Sequence, residues 1–138
     1  MITSCRLPIC LSYPKDPPIL GNPGQLQQVF TNLIMNAYQA MLGQEGGELT
    51  IKTSLQSDMV QVDVIDTGPG FPKKHLDHLF EPFFTTKPEG KGTGLGLSIA
   101  YGIIQSHGGS IKVHSIEGRG TSFSVSFSTK HNESEDQA

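Results

Sequence analysis

The order of hydrophobic periodicities along the chain is the strongest constraint on its fold. Apolar residues recur every three or four positions from residue 23 to about residue 42, which predicts a long helix. Asn22 and Pro23 supply its N-cap and a proline at the first helical position. A short helix is predicted over residues 72–79, and a second long helix over about 94–107.

Five other segments have the composition and alternation of β-strands. Residues 6–13 predict an edge strand, because Pro8 cannot donate a hydrogen bond to a β-ladder. The remaining four segments predict two hairpins, ELTIKTSLQ with MVQVDVID and SIKVHSI with TSFSVSFS. The predicted fold is therefore α+β: a two-layer α/β sandwich in which a mixed five-stranded sheet is covered on one face by about three helices.

Size and charge restrict the class of protein. The 138 residues suit one domain, predicted as residues 1–128, and the polar tail at 129–138 is predicted to be disordered. The net charge of −3 gives no basic footprint for nucleic acid, and no apolar run approaches the roughly 18 residues of a membrane span. We therefore expect a cytoplasmic domain that contacts neither nucleic acid nor membrane. The sequence leaves open whether its parent protein is anchored in a membrane.

Two asparagines lie on one face of the first long helix. Asn32 and Asn36 are four residues apart and neither is at a cap, although asparagine is a poor helix former. Their amides can offer carbonyl oxygens to a hard cation such as Mg²⁺ and NH₂ groups to phosphate. The alternative interpretation is a solvated helix face, which explains the neighbouring glutamines well.

A carboxylate is predicted to point into the core where a strand ends. By alternation, Asp66 faces the same side as the three valines of residues 60–64, and a buried carboxylate needs a hydrogen-bond donor. Gly68 and Gly70 follow it without side chains, so a flat group could lie close to the backbone there. An adenine amino group would be one such donor. The alternative is an aspartate that caps its own turn.

Glycine occupies every second position at the start of GKGTGLGLS, residues 90–98, just before the second long helix. The pattern matches neither a P-loop nor a GxGxxG motif. Alternating glycines at a helix N-terminus still expose consecutive backbone N–H groups beside a partial positive charge, which suits a triphosphate. A mobile linker is the alternative interpretation.

Five segments in register carry a family resemblance. NLIMNA, DTGPGF, FEPFFTTK, GTGLGL and HGGSIKVHSIEGRGTSFSV resemble, in sequence and spacing, the ATP-binding catalytic domain of two-component sensor histidine kinases. The resemblance covers residues 6–128, and NAYQAM with FEPFFTTK is similar to the nitrogen-regulation kinases within that family. It implies ATP and Mg²⁺ as cofactors and a mobile ATP lid around residues 80–93.

The resemblance implies a role for each matching position. Asn36 would bind Mg²⁺ through its amide oxygen, and Asn32 would support the phosphates or the metal, so both would be catalytic. Asp66 would accept a hydrogen bond from the adenine amino group, the two glycines after it would let the base approach, and Thr121 would lie near the adenine. The implied nucleotide-binding residues of the lid and its phosphate-binding end are Lys87, Lys91, Gly92, Gly94, Leu95 and Gly96.

One departure from the wider ATPase superfamily bears on the reaction. Type II topoisomerases, mismatch-repair ATPases and related chaperones carry a water-activating glutamate where Asn32 stands. An amide cannot accept a proton, so the resemblance implies phosphoryl transfer to a protein rather than hydrolysis. A same-fold ATPase or protein-serine kinase and a non-catalytic nucleotide-binding module remain as alternatives.

The acceptor of the phosphoryl group is not matched in this sequence. In the family it is a histidine followed by an acidic residue on a dimeric helical hairpin, and none of the five histidines fits that pattern. The implied partners are therefore ATP or ADP, a dimerisation and histidine-phosphotransfer domain of the same parent protein, and a response regulator downstream.

Overall fold

The computed structural model describes residues 9–12, 21–82 and 96–128. Their helices and strands are, in chain order, β1 (Ile9–Ser12), α1 (Pro23–Ala40), β2 (Leu49–Gln56), β3 (Met59–Asp66), α2 (Lys73–Leu76), α3 (Gly96–Ser106), β4 (Ser110–Ile116) and β5 (Gly120–Ser128). The predicted tail at 129–138 and residues 83–93 of the predicted lid lie outside the described residues.

The strands form one mixed five-stranded sheet in the order β1-β2-β3-β5-β4. β1 pairs parallel with β2 at one edge, and the other three pairings are antiparallel. Both predicted hairpins are present: Ser57, at a φ of 53°, begins the turn between β2 and β3, and residues 117–119 form the turn between β4 and β5. The predicted α+β architecture, mixed sheet and edge strand are confirmed.

The core lies between the sheet and the helices on one of its faces. Phe123, Val125 and Phe127 of β5 are almost fully buried, whereas the intervening positions of that strand are serines that point to the opposite face. The helices cover the apolar face with residues at helical spacing, which are Val29, Leu33 and Ala37 of α1 and Ala100 and Ile104 of α3.

A histidine ties the end of α3 to the start of α1. The Asn22 side chain caps α1 by accepting a hydrogen bond from Gln25 N at 2.9 Å. The Asn22 backbone N–H donates to His107 Nε2 at 3.1 Å, so the ring proton lies on Nδ1, which donates to Ile103 O at 2.9 Å. This hydrogen bond therefore connects the C-terminal end of α3 to the N-terminal end of α1.

The helix boundaries agree with the sequence to within a few residues. The short helix α2 covers only Lys73–Leu76 of the predicted 72–79, because residues 77–80 continue as turns. The described part of α3 begins at Gly96, and residues 94 and 95 of the predicted helix lie outside the described residues. None of the described helices combines the length and apolar character that a membrane span requires.

Candidate functional site

Asp66 is the buried carboxylate at the centre of the candidate site. As the last residue of β3 it lies between Leu49 of β2 and Thr121 of β5, and it is 5% exposed. Its Oδ1 accepts a hydrogen bond from Gly68 N at 2.8 Å. The alternation therefore predicted its burial correctly, and the alternative interpretation also holds in part, because the carboxylate caps its own turn.

The environment of Asp66 perturbs its ionisation. Burial removes water from the carboxylate and raises the pKa of Asp66 above its ordinary value of 3.8. Hydrogen bonds from the backbone N–H groups of Gly68 and Thr121 act in the opposite direction, but they do not cancel the effect of burial on the pKa. The site therefore contains a carboxylate that gains from any further donor brought close to it.

Residues 66–71, which we call the Asp66 loop, are packed against the β4–β5 hairpin. Gly118 N donates to Pro69 O at 2.6 Å, and Phe71 N donates to Ser115 Oγ at 2.8 Å. Gly70 has a φ of 74°, and a Cβ built there would collide with the carbonyl oxygen of Ile116. Backbone therefore lies directly on backbone along this side of the loop.

The opposite side of the Asp66 loop is fastened to the connection between α1 and β2. Gln44 Nε2 donates to Thr67 O at 2.8 Å, and Glu48 N donates to Thr67 Oγ1 at 2.9 Å. The Thr67 hydroxyl in turn donates to the sulfur of the buried Met41 at 3.6 Å. The loop is thus held from two sides by residues far from it in sequence.

The two loop glycines have protein atoms as close neighbours. A Cβ at Gly68 would lie 3.0 Å from Asp66 Oδ1 and 3.3 Å from Ala40 Cβ. At Gly70 the neighbour is the Ile116 carbonyl described above. Packing and backbone conformation within the protein therefore require glycine at Gly70, whereas at Gly68 they leave only tight space for a side chain. The role of both glycines in admitting a nucleotide base remains a prediction.

One face of α1 connects the Asp66 loop to the start of α3. Asn32, Asn36 and Ala40 lie four residues apart on this face, and Ala40 lies beside Gly68, where an added Cβ would be 3.3 Å from the Ala40 Cβ. At the other end, Asn32 Nδ2 donates to Gly96 O at 3.0 Å. Asn32 and Ala40 are separated by about 12 Å along the helix axis, at 1.5 Å per residue.

The predicted asparagines are partly exposed and therefore accessible to a ligand. Because Asn32 uses its NH₂ group on Gly96, its Oδ1 atom remains as an acceptor for a donor or a cation. No described residue lies within 4 Å of the place where a Cβ on Gly96 would be, and Gly96 does not adopt a left-handed φ. The described residues therefore do not require glycine at position 96.

The structure brings together part of the predicted site. Asp66 and Thr121 are register partners, Gly68 and Gly70 follow within the same loop, and Asn32 contacts Gly96. The other predicted phosphate-binding residues, Lys87, Lys91, Gly92, Gly94 and Leu95, lie outside the described residues. Among the residues that are described, no group of three His, Cys, Asp or Glu side chains could hold a metal ion.

Sequence reasoning missed two polar residues that hold the Asp66 loop. Ser115 of β4 lies on the strand face that also carries the partly buried Ile111 and Val113, so a serine in a core-facing position was the available signal. Thr67 gave no such signal, because its hydroxyl partners, Glu48 N and the Met41 sulfur, are set by the connection after α1.

Comparisons with known proteins agree with this architecture. A family model described as histidine kinase-, DNA gyrase B- and HSP90-like ATPase matches residues 21–131. Sporulation kinase A of Bacillus subtilis (strain 168) is 45% identical over 86% of this chain, which covers 19% of that kinase. The catalytic domain of histidine kinase ThkA is similar with a TM-score of 0.79 and 32% identity, over 93% of this chain and 84% of that chain.

A longer solved structure is similar as well. Full-length ShkA in complex with AMPPNP has a TM-score of 0.75 and 30% identity, over 89% of this chain and 26% of that one. The chain spans between 13% and 24% of the length of the curated kinases that it matches. The similarity therefore concerns one domain of much longer proteins.

Replacing Gly70 with alanine tests the packing of the Asp66 loop. Gly43 is a matched control, because it has a φ of 83° and open space where a Cβ would lie. Gly43→Ala introduces only the backbone strain of a side chain at positive φ, which should lower the free energy of unfolding by about 1–2 kcal/mol. Gly70→Ala adds the collision with Ile116 and should lower the free energy of unfolding by at least twice as much, measured by urea denaturation. Equal losses in the two variants would contradict the close packing.

The raised pKa of Asp66 predicts a pH dependence of stability. Over the pH range between 3.8 and the higher folded pKa, the folded state retains a proton that the unfolded chain has released. The contribution of Asp66 to the free energy of unfolding should therefore fall as the pH rises through that range. Urea denaturation of the nucleotide-free protein and of Asp66→Asn between about pH 4 and 8 measures this contribution by difference. A difference that grows in favour of the wild type with rising pH would show that the donors outweigh burial.

Proposed function

Since the chain belongs to the histidine kinase-, DNA gyrase B- and HSP90-like ATPase family, with the fold of sensor histidine kinase catalytic domains, we propose that it positions Mg-ATP for phosphoryl transfer. The acceptor is a histidine on a separate dimerisation and phosphotransfer domain of the same parent protein. A response regulator then receives the phosphoryl group in two-component signalling.

The observation that carries this proposal is the α1 face that joins two chemically different ends. One end is the Asp66 loop, with a buried carboxylate beside Gly68 and Ala40. The other end is the start of α3, where Asn32 contacts Gly96 directly after the glycine-rich GKGTGL segment. About 12 Å of helix separates the two ends, which suits an elongated ligand with a base at one end and phosphates at the other.

The Asp66 end is suited to an adenine base. Burial disfavours the charged carboxylate of Asp66 and raises its pKa, so a further hydrogen-bond donor would stabilise the charged form. The exocyclic amino group of adenine is such a donor, and it is attached to a flat ring. Guanine would present a carbonyl oxygen at the equivalent position, and two acceptors facing each other disfavour binding. Thr121, the buried register partner of Asp66, provides a hydroxyl beside the same position. The AMPPNP bound by ShkA supports an adenine nucleotide as the ligand.

The other end is suited to phosphates and a hard cation. The N-terminus of α3, an 11-residue helix, carries partial positive charge, and amide oxygens are suitable ligands for Mg²⁺. Asn36 and the Oδ1 of Asn32 would hold the ion, which would neutralise charge on the phosphates. The residues of this chain would orient the nucleotide so that the acceptor histidine of the other domain can attack its terminal phosphate.

Asn32 also favours phosphoryl transfer over hydrolysis. Its amide cannot take a proton from water, and its NH₂ group is already used as a donor to Gly96 O. The base for the reaction must then come with the acceptor, as a kinase with a separate phosphotransfer domain requires. Sporulation kinase A and the other similar kinases are long enough to contain additional domains, which supports a nucleotide-binding domain separate from the domain that carries the acceptor histidine.

The test of the proposed function is base-selective nucleotide binding. The wild type should bind ATP with Mg²⁺ and bind GTP much more weakly, measured by calorimetry. Asp66→Asn should weaken ATP binding by about 1–3 kcal/mol, the range for a broken buried polar contact, and should reduce the preference for ATP. Asp63→Asn is the matched control, because Asp63 lies on the same strand and bonds to Gln61 on the opposite face; it should bind as the wild type does.

Equal affinities of the wild type for ATP and GTP would contradict the role of Asp66. Rapid Mg²⁺-dependent phosphate release by the same samples would instead favour the ATPase alternative over the kinase.

A further inference from the structure

Ser115 of β4 makes three hydrogen-bond contacts with one hydroxyl group. Its Oγ accepts from Phe71 N at 2.8 Å, lies 2.9 Å from Thr121 Oγ1 and is 3.2 Å from Gly120 O. A hydroxyl has one proton and two lone pairs. Phe71 N uses one lone pair, which leaves a proton for an acceptor such as Gly120 O and a lone pair for the Thr121 hydroxyl. The three contacts therefore use the full hydrogen-bonding capacity of the Ser115 hydroxyl.

The partners of Ser115 belong to the two segments that donate hydrogen bonds to the Asp66 carboxylate. Phe71 ends the Asp66 loop, and its amide has no role in the sheet ladder. Thr121 is the register partner of Asp66, and its backbone N–H is one of the two donors that act on the carboxylate. One hydroxyl therefore fixes the loop relative to β5, and each of these two segments supplies one backbone donor to the carboxylate, Gly68 from the loop and Thr121 from β5.

Resting on the proposed function, we propose that Ser115 is a positioning residue that sets the base selectivity of the nucleotide site. Its hydroxyl holds the Asp66 loop against β5, so that the carboxylate and the Thr121 hydroxyl present a fixed pair of polar groups to the base. Without this tie the loop remains attached to the protein, because Gly118 N still donates to Pro69 O and Thr67 keeps its contacts with Gln44 and Glu48. The Phe71 amide and the Thr121 hydroxyl then lose their partner, so the polar groups facing the base are less firmly positioned and tolerate a base with the wrong donor pattern.

The experiment compares nucleotide binding by three variants of the same chain. Ser115→Ala should bind ATP roughly tenfold more weakly than the wild type, about 1.4 kcal/mol, and should lose most of its preference for ATP over GTP. Ser115→Thr restores the hydroxyl and should recover the preference. Ser110→Ala removes an exposed hydroxyl from the same strand and serves as the matched control. Faster amide hydrogen exchange at Phe71 in Ser115→Ala would confirm that the contact is lost.

The outcomes separate this inference from the proposed function. If the wild type binds no adenine nucleotide, the proposed function fails and the inference fails with it. If the wild type is selective but Ser115→Ala keeps its ATP affinity and its ATP-to-GTP ratio within twofold, only the positioning role is overturned. A lower melting temperature with an unchanged ratio likewise assigns Ser115 a purely structural role. Should Ser115→Ala fail to fold, Ser115→Cys, which keeps a weak donor in the same shape, takes its place in the same comparison.

Discussion

The burial of the Asp66 carboxylate at the end of β3 is the constraint on which the rest of the site depends. A buried carboxylate must be surrounded by donors, and the donors here are backbone N–H groups of Gly68 and Thr121. Backbone donors can act only if the segments that carry them are held still. The packing of Gly70 on Ile116, the Gly118 to Pro69 hydrogen bond and the Ser115 contacts supply that rigidity from the hairpin side. The close packing of the Asp66 loop thus keeps the backbone donors of the carboxylate in place.

Helix α1 links this constraint to the proposed chemistry. Its apolar face is buried in the core through Val29, Leu33 and Ala37, so the helix is fixed relative to the sheet. The adjoining face carries Asn32 and Asn36 and runs from the start of α3 to the Asp66 loop. Both ends of the proposed site lie beside the same helix, and the core holds that helix in place. The distance between the base-binding end and the phosphate-binding end is therefore fixed. In the proposed function, that fixed distance is what places the transferred phosphoryl group.

The sequence predicted those features that depend on local periodicity. The two long helices follow from apolar residues spaced three to four positions apart. Both hairpins and the burial of Asp66 follow from alternation every second residue, and the structure confirms all of these features. The tie made by Ser115 could not be predicted, because it depends on how the β4–β5 hairpin lies against a loop some 44 residues earlier in the chain. For the same reason the sequence predicts only the approach of a base at Gly70, whereas its φ and its close packing on Ile116 already require glycine. The roles of Lys87, Lys91, Gly92, Gly94 and Leu95 remain predictions.

Because protein contacts alone hold the Asp66 loop, we expect it to be formed before nucleotide binds, and residue-resolved amide hydrogen exchange of the nucleotide-free protein tests this expectation most directly. The amides of Gly68, Phe71 and Gly118 each donate to a protein acceptor. We predict that all three exchange nearly as slowly as amides of the central strands β3 and β5, and that ATP changes them little. Exchange as fast as that of exposed turn amides, with protection appearing only when ATP is added, would contradict this expectation.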